Sequence, residues 1–84
     1  MERLATAVVD ALTFLELSGD DVVDPDSAIK VMENIGSILQ QCNPDERSAI
    51  QAAVSRALES ERLGRNDDDV IEFFENFMDA IGLQ

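Results

Sequence analysis

Apolar side chains recur three and four residues apart in four separate stretches of this chain, and between the stretches stand prolines, glycines and the small polar residues that cap helices. That spacing gathers apolar groups on one face of an α-helix. It restricts the fold to an all-α architecture whose helices bury one face each.

The first stretch, about residues 3 to 17, carries Leu4, Val8, Ala11, Leu12 and Leu15 on its stripe, and Ser18 with Gly19 stops it. Val9, Phe14 and Leu17 fall off that stripe. A helix apolar over most of its circumference is either central or partly used in a contact. The second helix, about residues 25 to 41, opens on Asp24, whose side chain can accept from a free backbone N–H, and on Pro25, whose missing N–H is not needed at the first position. Its stripe is Ala28, Val31, Met32, Ile35, Ile38 and Leu39, continuing to Cys42. Gly36 within it costs about 1 kcal/mol relative to alanine, which points to close approach of a neighbouring helix.

Asn43, Pro44 and Glu46 form the clearest local signal, a cap, a first-position proline and a residue placed to bond back. They start a third helix of about residues 44 to 63 with Ile50, Ala53, Val54, Ala57 and Leu58 inward, and Gly64 is expected to supply a left-handed exit. Asn66 and the three aspartates after it cap a fourth helix of about residues 67 to 81. Its core face reads Val70, Phe73, Phe74, Phe77, Met78 and Ile81, and Gly82 marks its end. Eighty-four residues leave room for one core, so residues 1–84 form one domain. Short connections favour antiparallel neighbours, and the expected architecture is a compact up-down-up-down four-helix bundle.

Hydrophobic residues at 45% and charged ones at 29% give the balance of a chain that folds rather than one that stays disordered. Eighteen acids against six bases leave a net charge of −12, which repels nucleic acid phosphates and anionic lipid. The natural complement is a basic protein, with no direct nucleic acid binding and no membrane. The chain has no His, Trp or Tyr, so the commonest general base, the commonest zinc ligand and the usual base-stacking platforms are missing. No enzymatic activity, metal or cofactor is expected. A single cysteine forms no intramolecular disulfide, and the acids and Arg3 within the first seventeen residues fit neither a signal peptide nor a spanning helix, so the default compartment is the cytoplasm.

The acids are concentrated. Residues 18 to 27 hold Asp20, Asp21, Asp24 and Asp26 without a base, and residues 64 to 84 hold six acids against Arg65. In an up-down-up-down bundle the first and third connections share one end, which would bring these four aspartates near Asp67, Asp68 and Asp69. Carboxylates at helix N-termini cap amides and complement the positive dipole end, but one or two per helix suffice. On the fourth helix Asp68, Glu72, Glu75 and Asp79 form an exposed stripe for which no Lys or Arg partner is expected. A solvated face explains them, and so does a cationic partner. Together with Asp20, Asp21, Asp24, Asp26, Asp67 and Asp69 they are the candidate partner-binding residues.

Other patterns carry less. No window fits a calcium loop with its central glycine and terminal glutamate, and nothing suggests the buried setting that would split the pKa values of paired carboxylates. Cys42 lacks a histidine partner and reads as a core residue. The face of Phe73, Phe74 and Phe77, extended by Ile71 and Met78, is wide enough to be shared with a second copy, as are Val9 and Leu17, which leaves a homodimer open.

Asp26 and Ser27 before an amphipathic helix in an acidic chain of this size resemble an acyl carrier protein, in which that serine would carry phosphopantetheine. Asp24 stands where the carrier pattern has glycine and Ala28 where it has leucine; read from the residues alone, Ser27 supports a helix first turn. In size, negative charge, missing catalytic set and the acid-rich segment SGDDVVDPDS from Ser18 to Ser27, the chain resembles the small acidic immunity proteins encoded beside bacterial toxins. The resemblance implies a tight complex that blocks a basic toxin domain, with carboxylates steering association and a few apolar contacts holding it. A nucleic acid mimic, in which carboxylates imitate phosphates, would share the charge but string it along an elongated surface.

Overall fold

The computed structural model describes residues 1–83, which fold as α1 (Glu2–Leu17), α2 (Pro25–Leu39), α3 (Pro44–Leu63), α4 (Asp68–Glu75) and α5 (Phe77–Ala80), with no strand among them. The starts of α2 and α3 follow from local chemistry. Asp24 caps α2 ahead of Pro25, and a full capping box starts α3: Glu46 N–H donates to Asn43 Oδ1 at 2.8 Å while Asn43 N–H donates to Glu46 Oε1 at 2.9 Å. α1 begins without a side-chain cap.

α1 and α3 form the central pair, α2 packs on α1, and α4 packs on α3. Directions follow from shared hollows. Leu4 and Val8 line one hollow with Glu46 and Ile50, while Thr13 and Leu17 line another with Ala57 and Glu61, so α1 and α3 run the same way. Leu39 closes the first hollow beside Leu4, and Ile29 lies beside Glu16, so α2 runs opposite to α1. The core draws on every helix, with Leu12 and Phe77 fully enclosed and Val9, Leu39, Ile50 and Phe74 buried around them. Burial of aromatic and branched side chains at about 25 cal/mol per Å² is the main force holding the helices together.

The structure corrects several expectations. The inward face of α1 is Ala5, Val9 and Leu12, with Leu4 and Ala11 exposed; the stripe is turned from the expected one because α1 packs on two neighbours. On α2, Val31 and Ile38 are exposed. The fourth segment is not one helix to residue 81. It breaks at Asn76, whose ψ of 6° leaves the helical range and whose Nδ2 donates to the Glu72 carbonyl at 2.9 Å. A short polar side chain that bonds its own backbone in this way competes with helix continuation. Gly64 has a φ of −102°, and the left-handed residue after α3 is Asn66 at φ 56°. Asparagine tolerates that region better than most side chains.

Of two glycines the sequence singled out, Gly82 acts as expected and Gly36 does not require the close helix neighbour expected of it. Gly36 is buried, and a Cβ there would stand 3.4 Å from the Ile81 carbonyl oxygen, an ordinary contact, so its neighbour is the C-terminal backbone and a methyl group fits. Gly82, at φ 78°, closes the chain's last turn: its N–H donates to the Asp79 carbonyl and the Leu83 N–H to the Met78 carbonyl, the paired bonds of a Schellman motif. Of the groups that could have been shared with a second copy, Val9, Phe74 and Phe77 are consumed by the chain's own core, and Leu17 remains exposed.

Candidate functional site

All ten candidate carboxylates are exposed. In the first connection, residues 19 to 23 turn through Val22 and Val23 N–H bonds to the Gly19 carbonyl, and the chain then reaches Asp24. One Asp24 oxygen accepts from both the Ser27 hydroxyl, at 2.8 Å, and the Ser27 N–H, at 3.0 Å. These bonds, the hydroxyl first, hold its carboxyl below the usual aspartate value. Ser27 is thus engaged in the first turn of α2. Among the described residues, Asp20, Asp21 and Asp26 have no ion pair.

At the other cluster Asp67 caps α4, its Oδ1 accepting from Asp69 N–H at 2.9 Å and Val70 N–H at 3.2 Å, and Asp68 and Asp69 follow in the first turn. The connection into α4 is held by a residue the sequence did not single out. Glu61 is the one buried charged side chain among the described residues; it accepts from the Asp67 N–H and from Arg65 Nη2, both at 3.2 Å. The α4 stripe is less free than expected: Glu75 Oε2 accepts from Arg62 Nη2 at 2.8 Å. Arg62 reaches it because α4 folds back against the end of α3. Asp79 lies beyond the break at Asn76, so the stripe is also interrupted.

The structure brings together a different set. At the last turn of α1, Glu16 and Leu17 share a hollow with Asp69, Glu72 and Phe73 of α4 and with Ala80 of α5. On its other side Glu16 borders a second hollow with Ile29, Met32, Glu33 and Asp79. Glu16 therefore joins two acid-rimmed depressions whose floors are partly apolar, and no Lys or Arg lines either. Sequence reasoning missed Glu16 and Glu33. The signal was available for Glu16, because an acid in a helix's last turn, with no base there, faces the negative end of the dipole and is unfavourable locally.

Between α1 and α3 runs a longer groove of about 830 Å³. Val9, Ala53, Ala57 and Phe74 form its floor, Phe14 stands at its rim, and it ends at Leu17, Ser18 and Asp67. Ser18 at the start of the first connection and Asp67 at the start of α4 thus line the same groove. Hydrated carboxylates beside apolar hollows can accept cations and hydrogen-bond donors.

Among the described residues no group of acids and cysteine is arranged to hold a metal ion, and no helix is long and apolar enough to cross a membrane. Comparison with models of known protein families, with curated proteins and with solved structures finds no match.

Proposed function

We propose that this chain is a non-enzymatic binding protein of the cytoplasm, an immunity-type inhibitor whose acidic face docks on and blocks a basic toxin or effector domain of bacterial origin. The observation that carries the reading is Glu16, set between Asp69 and Glu72 on one side and Glu33 and Asp79 on the other, with Leu17, Phe73 and Ile29 among them. Inhibition of a site calls for this combination, since carboxylates steer the encounter and apolar contacts slow dissociation. The reading takes the helices as an up-down-up-down bundle with a shortened fourth member, which places Asp20, Asp21, Asp24 and Asp26 at the same end as Asp67 and Asp68. The meeting of Ser18 with Asp67 in one groove supports it. A nucleic acid mimic would favour an elongated surface, and the molecule measures 36 × 32 × 21 Å, a slab.

The test is capture of partners from the native organism, followed by association kinetics. A basic protein is expected on the wild-type chain, and Asp69→Lys with Glu72→Lys should slow its association by about tenfold or more at low salt, with little change in dissociation. Recovery of no basic protein would overturn the reading, and competition by DNA for the same partner site would favour mimicry.

A further inference from the structure

The groove between α1 and α3 is not used by the acidic face as described, yet the two are continuous, because Leu17 belongs to both. From Thr6 to Leu17 the groove follows α1 for twelve residues, about 16 Å or three helical turns. Ala53 and Ala57, one turn apart on α3, keep its floor smooth, and Phe14 is 54% exposed at its edge. A trough of this length with small residues below and an exposed aromatic at the rim accepts the apolar ridge of another helix.

Charge selects which helix. At the Leu17 end the groove opens onto Glu16, Asp69 and Glu72, with no base lining that hollow. At the other end stands Arg56, whose Nη2 donates to the Thr6 hydroxyl at 3.3 Å and lies 4.0 Å from the Glu2 carboxylate, and Asp10 also lines the groove. The remaining base on the groove, Arg65, is paired with Glu61. Both bases on the groove are thus paired, most of the unpaired acids lie toward Leu17, and the occupant carries its positive charge at the end lying over Leu17.

We propose that this groove seats a short amphipathic helix of the partner, apolar along one face and basic at one end. The proposal deepens the inhibitor reading and rests on it: the acidic face steers the partner, and the groove holds one helix of it, with Phe14 as the main apolar contact.

The test titrates the full chain with a helical peptide of about 14 residues, leucine along one face and lysine confined to one end, against a scrambled peptide of the same composition. The amphipathic peptide should bind at least about tenfold more tightly than the scrambled one, and Phe14→Ser should remove that advantage. Because Phe14 is exposed, the variant keeps its fold, which circular dichroism checks. Equal binding of both peptides, unaffected by Phe14→Ser, would overturn the groove assignment. Weakening of both by Asp69→Lys with Glu72→Lys would in that case leave the acidic face standing, and no effect of that change would remove it too. A dimer of the free protein that Phe14→Ser dissociates would assign the groove to a second copy and also overturn the proposal.

Discussion

Asp24 and Asn43 do the same work at the starts of successive helices, but one cap ionises and the other does not. Asp24 accepts two bonds from Ser27 that favour its charged form, so its folded pKa lies below the unfolded value of about 3.9. A depressed carboxyl contributes stability that is fully present above the unfolded value and is lost as pH falls through the folded one. Asn43 accepts from the Glu46 N–H with a neutral amide. Asp24→Asn keeps a good capping residue and should be less stable than wild type at pH 7, with the gap closing in strong acid. Asn43→Ala should cost about 1 kcal/mol, a loss that does not track the titration of Asp24. Urea denaturation of the three proteins at pH 7 and below pH 3 reads both effects; a gap for Asp24→Asn that persists in acid would mean that the Ser27 bonds do not favour the ionised form.

The end of the last helix and the middle of α2 meet through two glycines that fail differently when substituted. Gly82 at φ 78° is in a region that costs an L-residue about 1–2 kcal/mol, so Gly82→Ala should destabilise by roughly that amount. Gly36 has ordinary helical geometry, and alanine there would gain about 1 kcal/mol of propensity while placing a methyl 3.4 Å from the Ile81 carbonyl. Gly36→Ala should move the thermal midpoint little, whereas Gly36→Leu should lose about 1–3 kcal/mol by pushing the C-terminal turn away. If Gly36→Leu melts like wild type, the turn does not pack there. Gly82 was legible in the sequence because a glycine just past the last apolar residue of a helix supplies its left-handed exit, whereas the neighbour of Gly36 leaves room for a methyl group. The starts of α2 and α3 were legible because capping side chains reach only their own first turn, whereas α1 has no side-chain cap and α4 is capped by Asp67 with Asn66 left-handed before it. The orientation of α1 was not: a helix apolar nearly all round has no single stripe, and only its two neighbours decide that Val9 turns inward and Leu4 outward. The break at Asn76 was written in a residue type, but the run of Val70, Phe73, Phe74 and Phe77 through it concealed the signal.

For the whole molecule, charge opposes folding. Twelve net negative charges are held within a radius of gyration of 12.5 Å, and three ion pairs set against them are exposed on at least one partner. Exposed pairs contribute about 0–1 kcal/mol each, less than the repulsion among crowded carboxylates that folding brings together. The candidate site was half legible for this reason: composition shows that acids exceed what caps require, but which of them converge depends on the fold. Glu16 enters the face only because it shares a hollow with residues of α4 and α5, and Glu75 leaves it only because Arg62 comes within reach. Salt separates the two roles of charge. The Debye length falls from about 30 Å at 0.01 M to about 3 Å at 1 M, so added sodium chloride screens long-range repulsion more than it weakens close pairs. The melting temperature should therefore rise steadily over this range, and Asp69→Lys with Glu72→Lys, which replaces two negative charges of the face by two positive ones, should raise it at low salt and flatten the salt response. A wild-type midpoint that falls as salt is added would show that attractive pairs outweigh repulsion. The acidic face would then be part of what holds the fold together, with no charge held in reserve for a partner.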